Sequence, residues 1–182
     1  MELSDLSFIG LLTQGNEQAF ENVFTDWFGN LYTYAFSVLG DEAIAEEVVQ
    51  SVFCRIWEKR DQLQVHTSLK AYLYGSVYHE CMDWMRKEQY RKAHRSHVLR
   101  TGNPTAGENA TGRLELNDLE RRLREAMDEL PDQCRAIFQL SRFGELKYRE
   151  IAEQLGLSVK TVESQMSKAL KHLRKKLIDF LE

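Results

Sequence analysis

The sequence predicts an all-α chain of two small helical domains joined by a flexible linker. Three observations carry that prediction. The 182 residues are rich in Glu, Leu, Lys and Arg and hold only two prolines, Pro104 and Pro131, a balance that favours helix almost throughout. Apolar residues recur at steps of three and four, and no run alternates convincingly with period two. Between about residues 94 and 115 the periodicity dissolves into polar, glycine-bearing sequence, TGNPTAGEN at 101–109. The expected division is a first domain at 6–93, a linker at 94–115 and a second domain at 116–182. With 43% hydrophobic residues, the chain has enough apolar surface to build cores.

In the first domain, Phe20, Val23, Phe24, Trp27, Phe28 and Leu31 lie on one helical stripe. Val48, Val49, Val52, Phe53, Ile56 and Trp57 make a second, and Tyr72, Leu73, Val77, Cys81, Trp84 and Met85 a third. Asn16, Asp41 and Ser68 stand just ahead of these stripes, where N-caps belong. Three or four amphipathic helices packed together follow from this. After the linker, Leu116, Leu119, Leu123, Met127 and Leu130 restore the helical period before Pro131.

The most informative segment is KYREIAEQLGLSVKTVESQMSKALKHL at 147–173. Its first helix is expected to carry Tyr148, Ile151, Ala152 and Leu155 inward. Gly156 lets the chain turn at positive φ, and Ser158 caps a second helix. The buried side of that helix is expected to hold Val162, Met166, Ala169, Leu170 and Leu173. The small Ala152 permits a close crossing with Val162 beneath it. The spacing Ala152, Gly156, Val162 is that of a DNA-binding helix-turn-helix. Outward-facing Lys160, Thr161, Glu163, Ser164, Gln165 and Lys168 then supply groups that bond base edges. Gln suits adenine, Lys guanine and Glu the amino group of cytosine. Ser158, Lys171, Arg174, Lys175 and Lys176 are suited to phosphates.

The formal net charge of −4 hides a pattern. Residues 1–65 hold eleven acidic side chains against three basic, whereas 66–100 hold seven basic against three acidic. From Ser158 to Lys176 six basic residues face Glu163 alone. That asymmetry suits an acidic face for a protein partner and two basic faces for phosphates.

Other function classes find little support. Cys54, Cys81 and Cys134 are odd in number and far apart, fit no zinc or disulfide spacing, and read as small core residues of a protein from a reducing cytoplasm. The start of the chain lacks the basic and apolar regions of a signal peptide, and no apolar run approaches the ~20 residues of a membrane span. Among His66, His79, His94, His97 and His172, only His94 and His97 are closely spaced, and no carboxylate or cysteine joins them at metal-ligand spacing. No nucleophile elbow or phosphate-binding glycine loop is present. The expectation is therefore a non-enzyme with no catalytic residues, no metal, no cofactor and no small-molecule substrate.

With both halves considered, the chain resembles the extracytoplasmic-function sigma factors of bacterial RNA polymerase, within the sigma-70 superfamily. YREIAEQLGLSVKTVESQMSKALKHLRKKL is similar to their promoter-reading region 4, and LPDQCRAIFQLSRFGELKY to the helix and bend before it. NEQAFENVFTDWFGNLYTYAFSVLGDEAIAEEVVQSVFCRIWEKRDQL is similar to the first helices of region 2, and SLKAYLYGSVYHECMDWMRKEQYRKA to the helix that opens the promoter. The resemblance implies a promoter-specificity subunit that binds core polymerase and promoter DNA and directs initiation. It assigns minus-35 contacts to Ser158, Lys160, Thr161, Glu163, Ser164, Gln165, Lys168 and Lys171. It places Tyr72, Tyr74, Tyr78, His79, Asp83, Trp84, Arg86, Lys87, Arg91 and Lys92 on the minus-10 helix, with Tyr78, His79, Asp83, Arg86, Lys87 and Arg91 as its contacts. Tyr72 and Trp84 are expected to be at least half buried. Polymerase docking falls to Glu46, Glu47, Gln50, Ser51 and Phe53, with Trp57 mainly core, and capture of an extruded base to the loop DQLQVHT at 61–67. An anti-sigma partner is implied as well, and His79 stands where the family typically carries Asn.

A single strand is held by aromatic faces and a basic track, which the 72–92 helix offers. The alternative is a conventional helix-turn-helix regulator that binds operators without polymerase. Such a regulator needs neither that aromatic and basic helix nor the acidic one before it.

Overall fold

The computed structural model describes residues 3–98 and 118–178, with side chains described for 8–92 and 121–178. The described chain is helical: α1 (Leu3–Thr13), α2 (Glu17–Leu39), α3 (Glu42–Glu58), a 3-10 turn (Arg60–Gln62), α4 (Leu69–Val98), α5 (Asp118–Asp128), α6 (Asp132–Arg142), α7 (Tyr148–Leu155) and α8 (Val159–Lys176). No strand occurs among the described residues. Residues 94–98 of the segment read as linker continue α4; the rest of it, 99–115, together with Leu116 and the side chains of Leu119, His94 and His97, lies outside the described residues.

The helices begin where short polar side chains satisfy their first N–H groups. Asn16 Oδ1 accepts from Ala19 N at 2.9 Å, Asp41 Oδ1 from Ile44 N at 3.1 Å, and Ser68 Oγ from Ala71 N at 3.1 Å. α2 ends at Gly40, whose φ of 70° lies in the left-handed region and whose N–H reaches Phe36 O at 2.8 Å.

α2, α3 and α4 pack on one another around Val23, Leu31, Val49, Val52, Leu73 and Val77. An aromatic group closes one side. The Phe53 ring meets Phe20, Phe24 and Phe28 at centroid distances of 6.1, 4.9 and 6.4 Å. In the second unit, Ile137 and Leu140 of α6, Ile151 and Ala152 of α7 and Val162 and Met166 of α8 are buried. Leu130, Cys134 and Ala169 form a small core of their own beside them.

Three expectations about burial are corrected. Tyr148 is 36% exposed, because it opens α7 at the edge of the helical pair. Leu170 is 53% exposed, because the line Val162, Met166, Ala169, Leu173 already fills the buried stripe and residue 170 turns off it. Cys54 is exposed, unlike the buried Cys81 and Cys134, since Val52, Phe53 and Ile56 take the inward positions of that turn. The two helical units, expected as domains joined by a linker, also touch in this structure. α7 lies on α4 and α6 on α2, and one continuous apolar cluster runs from Leu12 through Leu73 and Val77 to Leu140, Ile151 and Met166.

Candidate nucleic-acid interface

The helix-turn-helix has the local construction its sequence requires. Gly156 ends α7 at φ 63°, and its N–H bonds the carbonyls of Ala152 and Glu153. A Cβ at Gly156 would touch nothing within 4 Å, so the demand for glycine there is purely conformational. Ser158 Oγ accepts from Thr161 N at 3.0 Å and starts α8. With Val162, Met166, Ala169 and Leu173 inward, α8 turns Lys160, Glu163, Ser164, Lys168 and Lys171 to solvent. Ser158 is exposed at its head, while Thr161 and Gln165 are half buried. Gln165 Nε2 lies 3.4 Å from Gln133 Oε1. The structure therefore brings all eight proposed minus-35 residues onto the solvent side of one helix and its cap. It adds Val159, 40% exposed in the first turn, an apolar group of the kind that meets a thymine methyl. Its only sequence signal is its position directly after the cap.

On α4, Arg86, Lys87, Arg91 and Lys92 form an exposed basic run toward the C-terminal half. Arg86 pairs with Asp83 at 2.7 Å and Arg91 with Glu88 at 3.7 Å, and both arginines keep most of their side chain in solvent. Tyr90, 77% exposed, adds an open aromatic ring to this run. Tyr72 and Trp84 are half buried, whereas Tyr74 is 3% exposed between Trp27 and Tyr34, so it is a core side chain rather than a base platform. Tyr78 is half buried; burial pushes its phenol up, the Asp132 carboxylate adds to that shift and Arg86 opposes it.

A cleft of about 460 Å³ opens between α3, the segment 59–64 and α4. Apolar Val52, Ile56 and Leu63 line it together with Gln62, Gln64, Tyr72, Ser76 and His79, and with Arg55 and Lys59. Gln62, Leu63 and Gln64 belong to the loop singled out in the sequence. Ser76, Arg55 and Lys59 were missed, because only the fold brings α3 and α4 to that loop. Arg55 is held across the cleft by Glu80.

The two units meet through polar groups. Gln139, 3% exposed, donates from Nε2 to Ser37 O at 2.9 Å, and so caps the end of α2 from the other unit. Ser68 Oγ donates to Glu150 Oε1 at 2.8 Å, Lys70 Nζ to Glu145 Oε2 at 2.9 Å, and Tyr74 OH to Phe143 O at 3.2 Å. Gln154 Nε2 donates to Thr67 Oγ1 at 3.1 Å, while Gln154 O lies 3.1 Å from His79 Nε2. Lys70 holds the Glu145 carboxyl below its ordinary value, chiefly through that hydrogen bond. Glu145 itself sits at φ 48°, a conformation that non-glycine residues rarely adopt.

Of the proposed polymerase contacts, Glu46, Glu47 and Gln50 are exposed on α3, Gln50 Nε2 donating to Glu46 Oε1 at 2.9 Å. Ser51 is half buried. Phe53 is a correction: at 2% exposure it belongs to the aromatic core, because Phe20, Phe24 and Phe28 of α2 close over its ring at the edge of the buried face of α3. Trp57 is half buried against Phe20 and under the Arg60 guanidinium. Among the described residues no group of three or more His, Cys, Asp and Glu is placed to hold a metal ion. No described helix is long and apolar enough to cross a membrane.

Comparison with known proteins bears on the whole of this arrangement. Residues 23–91 match the family model "Sigma-70 region 2" and residues 120–173 the model "Sigma-70, region 4", in that order and over most of the chain. The chain belongs to the sigma-70 family. It is similar to the "ECF RNA polymerase sigma factor SigK" of Mycobacterium ulcerans, with 26% identity over 90% of this chain and 88% of that one. It is also similar to the "RNA polymerase sigma factor YlaC" of Bacillus subtilis, with 23% identity over 89% of this chain and 94% of that one. Two solved structures share its fold. One is the sigma factor RpoE in complex with the anti-sigma factor NepR from Bartonella quintana, at TM-score 0.67 and 24% identity, covering 87% of this chain and 96% of that one. The other is CnrH in complex with the cytosolic domain of CnrY, at TM-score 0.70 and 23% identity, covering 96% and 97%. Helix-turn-helix α7–α8 is thus the region 4 reader of this sigma factor, and α2–α4 its region 2.

Proposed function

We propose that this protein is a promoter-specificity subunit of the extracytoplasmic-function class, working in the cytoplasm through binding and strand separation and without covalent chemistry of its own. The observation that carries the reading is the pair of basic, exposed elements in one chain: the α8 face and the basic, aromatic α4 beside a cleft of about 460 Å³. The proposed organisation is region 2 over 6–93 and region 4 over 116–182, with 94–115 as the connection.

In this reading α8 enters the minus-35 major groove. Lys160, Glu163, Ser164, Gln165 and Lys168 meet base edges, while Ser158, Thr161 and Lys171 hold phosphates. Region 2 docks on the polymerase through Glu46, Glu47 and Gln50, with Ser51 at the edge. Arg86, Lys87 and Arg91 follow the backbone of the minus-10 strand, and Tyr78, His79 and Asp83 line its path. An extruded base enters the cleft, where Gln62, Gln64, Ser76 and His79 offer donors and acceptors and Tyr72 an aromatic face. With His79 in place of an amide, the base preference at that step follows the imidazole. A partner of the anti-sigma kind is part of the proposal, since RpoE, a protein of this fold, was solved with the anti-sigma factor NepR.

Run-off transcription with purified bacterial core polymerase on a genomic fragment library tests the reading. Defined start sites that depend on the protein support it. Absence of both new starts and core binding, with tight stand-alone duplex binding, would make the protein a conventional regulator instead.

A further inference from the structure

We propose that Arg60, which does not line the cleft, is the positioning residue that holds the loop 61–67 ready for an extruded base. The inference rests on the function proposed above and adds a residue to it. Gln62 and Gln64 line the cleft and are exposed, so their amides keep a fixed place only if the backbone beneath them does. At its far end the loop runs into α4, whose first turn is capped by Ser68 Oγ accepting from Ala71 N at 3.1 Å. At its near end α3 has just stopped. Lys59 leaves that helix at φ −106° and ψ 19°, and a three-residue 3-10 turn, Arg60–Gln62, follows.

Arg60 supplies the fastening at that near end. Its Nη1 donates to Trp57 O at 2.6 Å, one of the carbonyls that the end of α3 leaves over. Its guanidinium carbon stands 4.5 Å from the centre of the Trp57 ring, and that half-buried ring packs on Phe20 of α2 at 4.9 Å. Arg60 O accepts from Leu63 N at 3.2 Å and Lys59 O from Gln62 N at 2.9 Å, which sets the turn that carries both side chains toward the cleft. The neighbours divide sharply: Lys59, Gln62, Leu63 and Gln64 line the cleft, whereas Arg60 does not. Room for the guanidinium is left by Gly15 in the turn between α1 and α2, where a Cβ would stand 3.2 Å from Arg60 Nε. The turn after α1 thus reaches the loop through one guanidinium and backs it from outside the cleft.

Arginine suits this place because its planar fork donates at the edge while its face lies on a ring. Without the fork the start of the loop is loose, and Gln62 and Gln64 meet a base in several arrangements instead of one. What is then lost is discrimination between bases. Attraction of the strand is kept, because the exposed Arg86, Lys87 and Arg91 of α4 supply it. A residue that merely held region 2 together would lose both at once.

Arg60→Met keeps an apolar stem over Trp57 and removes the donor and the charge, whereas Arg60→Lys keeps a cation and a donor. Each is made in full-length protein, alone and with Cys54→Ser and Gln64→Cys for a nitroxide label at residue 64, since Cys81 and Cys134 are buried. Label mobility, read without DNA or polymerase, is expected to rise in Arg60→Met and to stay near the parent in Arg60→Lys. With core polymerase, on a promoter found by run-off transcription, opened templates carry each of the four bases in turn at each minus-10 position. A base read by one or two hydrogen bonds should be favoured about tenfold by the parent. Arg60→Met should reduce that preference to about twofold or less, while its affinity for a template abasic at the same position stays within about twofold of the parent's. Arg60→Lys should keep most of the preference. Unchanged label mobility in Arg60→Met overturns the proposal, as does raised mobility with the preference intact. Weaker binding of the abasic template, in step with the preferred base, overturns it as well. A parent that prefers no base at any position refutes the capture reading, and the label still reports separately whether Arg60 fixes the loop.

Discussion

Phe53→Ala separates a core residue from a docking residue on the same helix. The Phe53 ring is 2% exposed and has Phe20, Phe24 and Phe28 around it. Removing it forfeits about 1.5–3 kcal/mol of transfer free energy. The cavity and the lost ring contacts bring the total to about 3–5 kcal/mol. With an m-value of about 2 kcal/mol/M, the urea midpoint of region 2 falls by about 1.5–2.5 M. Glu47→Ala on the exposed face is the control, and its unfolding stays within about 0.5 kcal/mol of the parent. Core-polymerase affinity gives the opposite ranking: at temperatures where Phe53→Ala is still folded it binds like the parent, whereas Glu47→Ala binds more weakly. A Phe53→Ala midpoint equal to the parent's, with polymerase binding lost, would refute the assignment of the ring to the core.

Gly156→Ala places a Cβ at φ 63° with no clash, so it should destabilise region 4 by about 1 kcal/mol through backbone strain alone, measured by thermal unfolding. Lys171→Ala should weaken binding to promoter duplex and lower the slope of log K against log salt by about one, as loss of a phosphate contact does. Burial pushes the Cys81 thiol up to about 12, so at pH 8 iodoacetamide should modify Cys54 quickly and leave Cys81 unmodified until the protein unfolds; mass spectrometry counts the adducts. Glu145, held below its ordinary value by Lys70, contributes its pairing to stability most fully above the ordinary glutamate range. That contribution is lost as pH falls through the depressed value, so the difference in thermal midpoint between the parent and Glu145→Gln should vanish in acid.

Much of the fold was legible because local rules and the global structure agree. Asn16, Asp41 and Ser158 cap helices as their positions predict, Gly156 turns where only glycine is comfortable, and the three- and four-residue steps pick out Val49, Val52, Leu73 and Val162. Periodicity fixes which residues share a stripe but not how wide a stripe the neighbouring helix covers. Leu170, Tyr148 and Cys54 sit at stripe edges and turn to solvent for that reason, whereas Phe53 lies inward as its spacing says and only the resemblance assigns it to docking. The cleft was half legible: its loop could be read from one segment, whereas Ser76, Arg55 and Lys59 join it only through tertiary packing.

The contact between the two units was not legible at all, and its chemistry explains why. Gln139, Glu150 and Gln154 have the polarity of surface residues, and in an opened molecule they would be surface residues with water in place of Ser37, Ser68 and Thr67. A joint built only of leucine and phenylalanine would announce itself as hydrophobic excess, and separating it would expose that surface. Each such hydrogen bond contributes about 1 kcal/mol net, too little to show in a reading of apolar periodicity. Apolar contact joins the units as well, since Leu140, Leu146 and Ile151 lie in one cluster with Leu73 and Val77. Those apolar members already fill the buried stripes of their own helices, so a stripe read one helix at a time cannot say that two units share it.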